Sequence, residues 1–255
     1  MDPTLLLFQR LNEIVAELRE KCPWDRVQTK ESLRHLTLEE AYELGDAILK
    51  DDYNEIRKEL GDLLLHVVFY AQLAEKEGQF SLEQVIQSLN EKLIRRHPHI
   101  YGDVVVENAA QVKENWEQIK AKEKAGKKDA SALDGVPNAM PGLIQAYRMQ
   151  EKAAQFGFDW PEIGQVMEKV HEEWAEFEAA ETPREAEEEM GDYLFALVNY
   201  CRWKGINPDD ALARTNLKFR KRFQHIERMA AAEGRSLNDL TLDEMEAHWQ
   251  AAKAI

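Results

Sequence analysis

Apolar residues recur every three or four positions along almost the whole of this 255-residue chain, and that period leaves little room for anything but α-helices. Leu5, Phe8, Leu11, Ile14, Val15 and Leu18 make one such stripe. Leu60, Leu63, Leu64, Val67, Val68 and Ala71 make a second, and Val166, Val170, Trp174 and Phe177 a third. The alternation that marks a half-buried strand is almost missing, and its one short candidate, Asp103-Val104-Val105-Val106, is too little to build a sheet. Helix breakers are scarce, with 12 glycines and 8 prolines in all. Thr37 three residues before Glu40, and Ser81 three before Gln84, read as capping boxes that open helices. The predicted class is all-α.

Glycine and proline gather between residues 125 and 142, which reads as a linker between an N-terminal helical domain, residues 1–124, and a C-terminal one, residues 143–255. The two parts repeat one another. Glu39-Glu40-x-x-Glu43 returns as Glu172-Glu173-x-x-Glu176, and Glu59-Leu60-Gly61-Asp62 returns as Glu189-Met190-Gly191-Asp192. Asn90-x-Lys92-x-x-x-Arg96 returns as Asn216-x-Lys218-x-x-x-Arg222, and Trp116-x-x-x-Lys120 as Trp249-x-x-x-Lys253. Motifs kept in one order, with spacing that changes only between them, describe a duplicated domain whose loops have changed length.

Composition narrows the function classes. A chain that is 44% hydrophobic is too apolar for disorder, and its longest apolar run, Leu63 to Ala71, falls well short of the roughly 18–20 residues of a membrane span. The acidic opening of the N-terminus lacks the basic region of a secretory signal. Cys22 and Cys201 are too few for a disulfide framework or a cysteine zinc site, so a reducing cytoplasm is the expected compartment. A net charge of −15 argues against duplex nucleic acid as a direct partner, because phosphate neutralisation needs a basic footprint. It leaves open nucleotides held through a divalent cation.

The repeated carboxylates point that way. Glu40 and Glu43 share one helix face, as do Glu59 and Asp62; Glu173 with Glu176, and Glu189 with Asp192, repeat the pattern. The plain alternative is a solvated acidic surface. Asp62, however, precedes Leu65, Phe69 and Leu73 on one face, and Asp192 precedes Phe195 and Ala196, so both aspartates are expected to point inward. Gly61 and Gly191, costly in a helix interior, are expected to mark close backbone packing. Acids gathered in this way repel one another unless a cation joins them, and an all-oxygen set selects Mg²⁺, with Mn²⁺ as a substitute. Because Mg²⁺ takes phosphate oxygens as further ligands, the natural substrate is a phosphorylated small molecule. The pairs Lys92 with Arg96 and Lys218 with Arg222 suit anionic oxygens, and Trp116 with Lys120 and Trp249 with Lys253 offer an indole for a base beside a cation. Neither a P-loop, nor a dinucleotide fingerprint, nor an H-E-x-x-H motif is present. The run from Glu176 to Gly191 matches part of a Nudix box, but a Nudix fold needs a sheet that this sequence does not supply.

Together with Cys22-Pro23-Trp24-Asp25-x-x-Gln28-Thr29 and Arg95-Arg96-His97-Pro98-His99, the doubled EExxE and E[LM]GD motifs resemble the MazG nucleoside triphosphate pyrophosphohydrolases in their tandem two-domain bacterial form. The resemblance implies an all-α fold in which homodimerisation completes each four-helix module. It implies Mg²⁺-dependent hydrolysis of NTPs and dNTPs to the monophosphate and pyrophosphate, by water attack at the α–β phosphoanhydride. It places metal ligands on Glu173, Glu176, Glu189 and Asp192, with Glu40, Glu43, Glu59 and Asp62 as first-domain counterparts. It places nucleotide contacts on Lys169, Glu172, Glu173, Lys218, Arg222, Trp249 and Lys253, with Lys92, Arg96, Trp116 and Lys120 as counterparts. Glu172 is expected to orient water, and the second domain is expected to carry catalysis. At the position four before the last metal-binding glutamate, where some members have a basic residue, stands Glu185, with Arg184 beside it. A different class of function, a non-catalytic acidic helical module that senses nucleotides or binds a protein, remains the alternative.

Overall fold

The computed structural model describes residues 2–124 and 131–254, and no strand occurs among them. Of the expected linker, residues 125–130 lie outside the described residues; residues 131–141 form turns. The valines at 104–106 are irregular chain after a short helix, as their isolation in the sequence allows. The chain divides into two compact units, Met1–Lys127 and Lys128–Ile255.

In the first unit the helices are α1 (Pro3–Lys21), α2 (Lys30–Leu49), α3 (Tyr53–Lys76), α4 (Leu82–Arg96), the single turn α5 (Pro98–Tyr101) and α6 (Ala109–Lys124). Helices α2 and α3 pack along one another, and α1 lies on α3. Val15, Leu33, Val68 and Phe69 form the core, with Phe8, Leu11 and Leu36 packed against it, which accounts for the first two stripes of the sequence. Ser81 opens α4 with the expected capping box, its hydroxyl accepting from the Gln84 amide while Gln84 reaches back to the Ser81 N–H. Thr37 does not open a helix. The cap of α2 is Thr29, paired with Ser32, and Thr37 lies inside the helix, where its hydroxyl donates to the Leu33 carbonyl at 3.1 Å and pairs with the Tyr70 hydroxyl at 2.8 Å.

In the second unit the helices are α7 (Gly142–Gln155), α8 (Ile163–Ala179), α9 (Pro183–Trp203), α10 (Pro208–Ala232) and α11 (Leu242–Ala251). Helices α8 and α9 form the most extensive pair, with α7 against α9. Val166, Val170, Ala196 and Val198 are buried along them, and Ile226, Ala230 and Leu240 form a cluster on α10 and α11. Just past the end of α7 stands Gly157, whose φ of +81° is a left-handed conformation that glycine adopts without steric cost. The amide of Phe158 then closes the turn on the Ala153 carbonyl at 3.1 Å, and the chain is aimed back across α9.

Candidate active site

Each unit brings three glutamates from two helices together. In the second unit α8 supplies Glu173 and Glu176 and α9 supplies Glu189, and an oxygen of each lies within 4.8 Å of the others. In the first unit α2 supplies Glu40 and Glu43 and α3 supplies Glu59, again with an oxygen of each within 4.8 Å of the others. One member of each set is buried, Glu173 at 6% exposure and Glu59 at 8%. The aspartates correct the sequence reading: Asp62 and Asp192 are both exposed and stand outside the two triads. Asp192 nevertheless lines the cavity beside Glu173, and the charge of Asp62 is felt at Glu40. The glycines next to them are not squeezed, since a Cβ at Gly61 or Gly191 would meet nothing within 4 Å.

The acids repel one another as the chemistry requires. Loss of hydration, followed by the charges of Glu176, Asp192 and Glu173, raises the pKa of Glu189. Lost hydration and neighbouring carboxylates likewise raise Glu40, Glu43 and Glu59. Glu40, Glu43 and Glu59 bring an oxygen each within 4.8 Å of the others, and a bound cation would relieve that repulsion. Three converging oxygens, one of them buried, fit a hard divalent ion.

The two copies differ in one cation. Lys169, one turn before Glu173 on α8, donates to Glu172 at 2.9 Å and lies 2.6 Å from Glu173. Those two carboxylates hold its ammonium above the ordinary lysine range. One turn before Glu40 stands Leu36 instead, packed into the core. The surroundings differ as well. Of the second triad Glu173 lines a cavity of about 540 Å³, together with Lys169, Asp192, Met149, Gln150, Phe158, Trp160, Phe195 and Ala196. The first borders a depression of about 830 Å³ lined by polar and charged groups such as His35, Glu39, Asp46, Lys50 and Glu55. The α7-to-α8 segment that forms one cavity wall carries Gly157-Phe158-Asp159-Trp160, two aromatics around an acid just after a glycine, a signal that sequence reasoning passed over. Asp159 accepts from Arg202 and from the Trp203 indole at 3.1 Å, and Arg202 also donates to Asn199 at 3.0 Å.

The cationic motifs assemble elsewhere. Lys218, Arg222 and Lys253 line a separate pocket of about 340 Å³ together with Lys221 and Arg228. The Arg222 guanidinium lies 5.4 Å from the centre of the Trp249 ring, which packs on the Ile226 cluster. In the first unit Arg96 and Lys120 lie 5.0 and 4.6 Å from the Trp116 ring centre, with Lys92 one turn before Arg96 on α4. There Arg96 and Arg95 grip Glu123, holding its pKa at about 2, so this pair is engaged within the unit. In the first unit Lys120 lies on Trp116, the pair the sequence reading named; in the second the cation on Trp249 is Arg222, and Lys253 shares a pocket with it. Glu185 is spent on the cap of α9, accepting from the Thr182 amide, while Arg184 pairs with Glu188 at 2.9 Å.

Residues 28–101 match the MazG nucleotide pyrophosphohydrolase domain. The chain is 44% identical over 254 residues to a nucleoside triphosphate pyrophosphohydrolase of Escherichia coli K12, covering 96% of this chain and 97% of that protein. The chain belongs to the MazG nucleotide pyrophosphohydrolase family. A Thermotoga maritima protein named nucleoside triphosphate pyrophosphohydrolase/pyrophosphatase MazG is 44% identical over 250 residues, covering 97% of this chain and 96% of its own length. Bacillus subtilis YabN, an uncharacterized protein, is 45% identical over 252 residues that make up 96% of this chain and 51% of YabN. No helix among the described residues is long and apolar enough to cross a membrane.

Proposed function

We propose that this member of the family hydrolyses nucleoside triphosphates, both NTPs and dNTPs, to the monophosphate and pyrophosphate at the carboxylate site of its second unit, with Mg²⁺ as cofactor and Mn²⁺ as a substitute. The observation that carries this reading is Glu173, which belongs both to the glutamate triad and to the wall of a cavity of nucleoside size. Glu173, Glu176 and Glu189 would hold the ion, with Asp192 at the cavity edge offering a further oxygen. When bound, the ion supplies positive charge to the polyphosphate oxygens and lowers the cost of charge developing at the α–β linkage. Lys169 pairs with both Glu172 and Glu173 and so steadies the two carboxylates, and Glu172 would orient water. The cluster around Lys218, Arg222 and Lys253 suits the remaining phosphate charge. The first unit, whose triad lacks the lysine, we read as a silent copy.

We further read residues 1–124 and 143–255 as the two domains and 125–142 as their linker. The homodimer is supported by apolar side chains left exposed along α3 and α9, among them Leu60, Leu64 and Leu194. A cytoplasmic location accords with a nucleotide substrate and with Cys22 and Cys201 as free thiols. Incubating the full chain with each nucleoside triphosphate and Mg²⁺ tests the function. Pyrophosphate is the expected product, abolished by EDTA; orthophosphate, or no product from any nucleotide, overturns the reading.

A further inference from the structure

Lysine is rarely buried, because the hydration its ammonium loses has to be replaced by hydrogen bonds. Lys152, on α7, is 5% exposed. Its ammonium donates to the backbone carbonyl of Asp134, 18 positions earlier, in the turns that precede the helix. A charged donor bonds more strongly than a neutral one, so this contact ties α7 firmly to the chain ahead of it. Lys152 belongs to none of the repeated motifs, and it does not line the cavity beside Glu173. The hydrolytic site as described leaves it without a role.

What the lysine ties down is a turn closed by its own hydrogen bonds. The Asp134 carboxylate accepts from the Ser131 amide at 2.9 Å, and the Ser131 hydroxyl accepts from the Leu133 amide at 3.2 Å. The amides of Asp134 and Val136 donate to the carbonyls of Ser131 and Leu133 at 3.0 and 3.2 Å. Gly135, at a φ of +84°, supplies the left-handed step that the turn needs. A turn bonded in this way is held or released as a piece. One of its side chains, Leu133, lines the cavity with Met149 and Ala153 of α7 and Glu173 of α8. Among the described residues it is the one part of that wall that comes from ahead of α7.

We propose that residues 131–136 form a strap that completes the wall of the catalytic cavity, and that Lys152 is the positioning residue that holds the strap through the Asp134 carbonyl and so keeps Leu133 against the substrate. The inference rests on the hydrolase reading for what enters the cavity. It goes beyond that reading by assigning substrate affinity to a lysine that touches neither substrate nor metal. An apolar side chain in the wall binds ground state and transition state alike, so displacing it changes KM and leaves kcat.

Amide hydrogen exchange of the full-length, ligand-free protein reads the tie without turnover. In Lys152→Met the amides of Leu133, Asp134 and Val136 are expected to exchange at least about tenfold faster than in the wild type, while those of α9 keep their protection and show that the unit is folded. Lys152→Arg, which keeps a charged donor, is expected to restore most of the protection. Steady-state kinetics with ATP and Mg²⁺, followed by pyrophosphate release, read the consequence. Lys152→Met and Leu133→Ala should each raise KM about tenfold with kcat within about twofold. The double variant should have the KM of Leu133→Ala alone, because the lysine acts through the leucine. Leu133→Ala leaves the buried ammonium and its bond in place, so it tests the wall even where Lys152→Met fails to fold. Unchanged exchange in Lys152→Met, an unchanged KM in Leu133→Ala, a fall in kcat in place of the rise in KM, or KM effects that multiply in the double variant overturns the proposal. A wild type that releases no pyrophosphate overturns the hydrolase reading alone, and the exchange measurement still decides whether Lys152 holds the strap.

Discussion

At the scale of single residues the decisive contact is Lys169 with Glu173. A buried carboxylate is tolerated only with a partner, and Lys169 at 2.6 Å is that partner in the free protein. Glu173→Gln keeps the shape and removes the charge, so pyrophosphate release should fall by at least about 100-fold with the helical spectrum unchanged. Lys169→Met should cost about 10- to 100-fold, because Glu173 then carries its charge unaided. The raised carboxyls also set a pH dependence whose sign is fixed. Glu40, Glu43, Glu59 and Glu189 have folded pKa values above their unfolded ones, so the folded protein holds protons that the unfolded chain has released. Metal-free stability therefore falls as pH rises through the carboxylate range, and the penalty is complete above the folded values. Mg²⁺ removes the repulsion, so the gap in melting temperature between Mg²⁺ and EDTA should widen between about pH 4.5 and pH 7. An unchanged gap would mean that the triads bind no cation. The pairing of acids at i and i+3 was legible in the sequence; the exposure of Asp62 and Asp192 was not, because a helical stripe says which residues share a face and not how far that face is covered.

The helices themselves were the most legible elements, since a period of three to four is set locally by the backbone. Their beginnings were less so. Ser81 with Gln84 obeys the capping signature and was readable, whereas Thr29 closes its box with Ser32, a residue outside the usual Glu or Gln. Thr37-x-x-Glu40 imitates the signature from inside α2, and only the fold shows that its hydroxyl serves the Leu33 carbonyl and Tyr70. The cap of α9 matters most to function, because that helix carries both Glu189 and Asp192. Thr182→Ala should lose about 1 kcal/mol in urea denaturation, as the Glu185 amide loses its acceptor. Thr182→Ser, which keeps the hydroxyl, should restore most of it. A loss in both variants would place the effect in packing and not in the cap.

For the whole molecule, duplication was legible because four motifs recur in order, but sequence could not say that the copies had diverged in their surroundings. That difference lies in Leu36 against Lys169 and in the aromatic wall beyond Gly157, neither of which belongs to a repeated motif. What remains is the apolar surface. Leu64 on α3 and Leu194 on α9 stand at the same place after their E[LM]GD motifs, and they are 40% and 46% exposed. Large apolar side chains left out at equivalent positions of two copies describe a face awaiting a partner, and scattered single leucines would not repeat in register. A second chain covering these side chains would bury α3 in the first unit and α9 in the second, the helices that carry Glu59 and Glu189, and so couple assembly to the acid sites. Light scattering of the wild type should give twice the chain mass. Leu194→Asp should shift the protein toward the single-chain mass, keep its helical spectrum and depress pyrophosphate release, whereas Glu59→Gln should leave both mass and turnover nearly unchanged. A wild type of single-chain mass would overturn the dimer, and full activity in a monomeric Leu194→Asp would show that the second unit works without a partner.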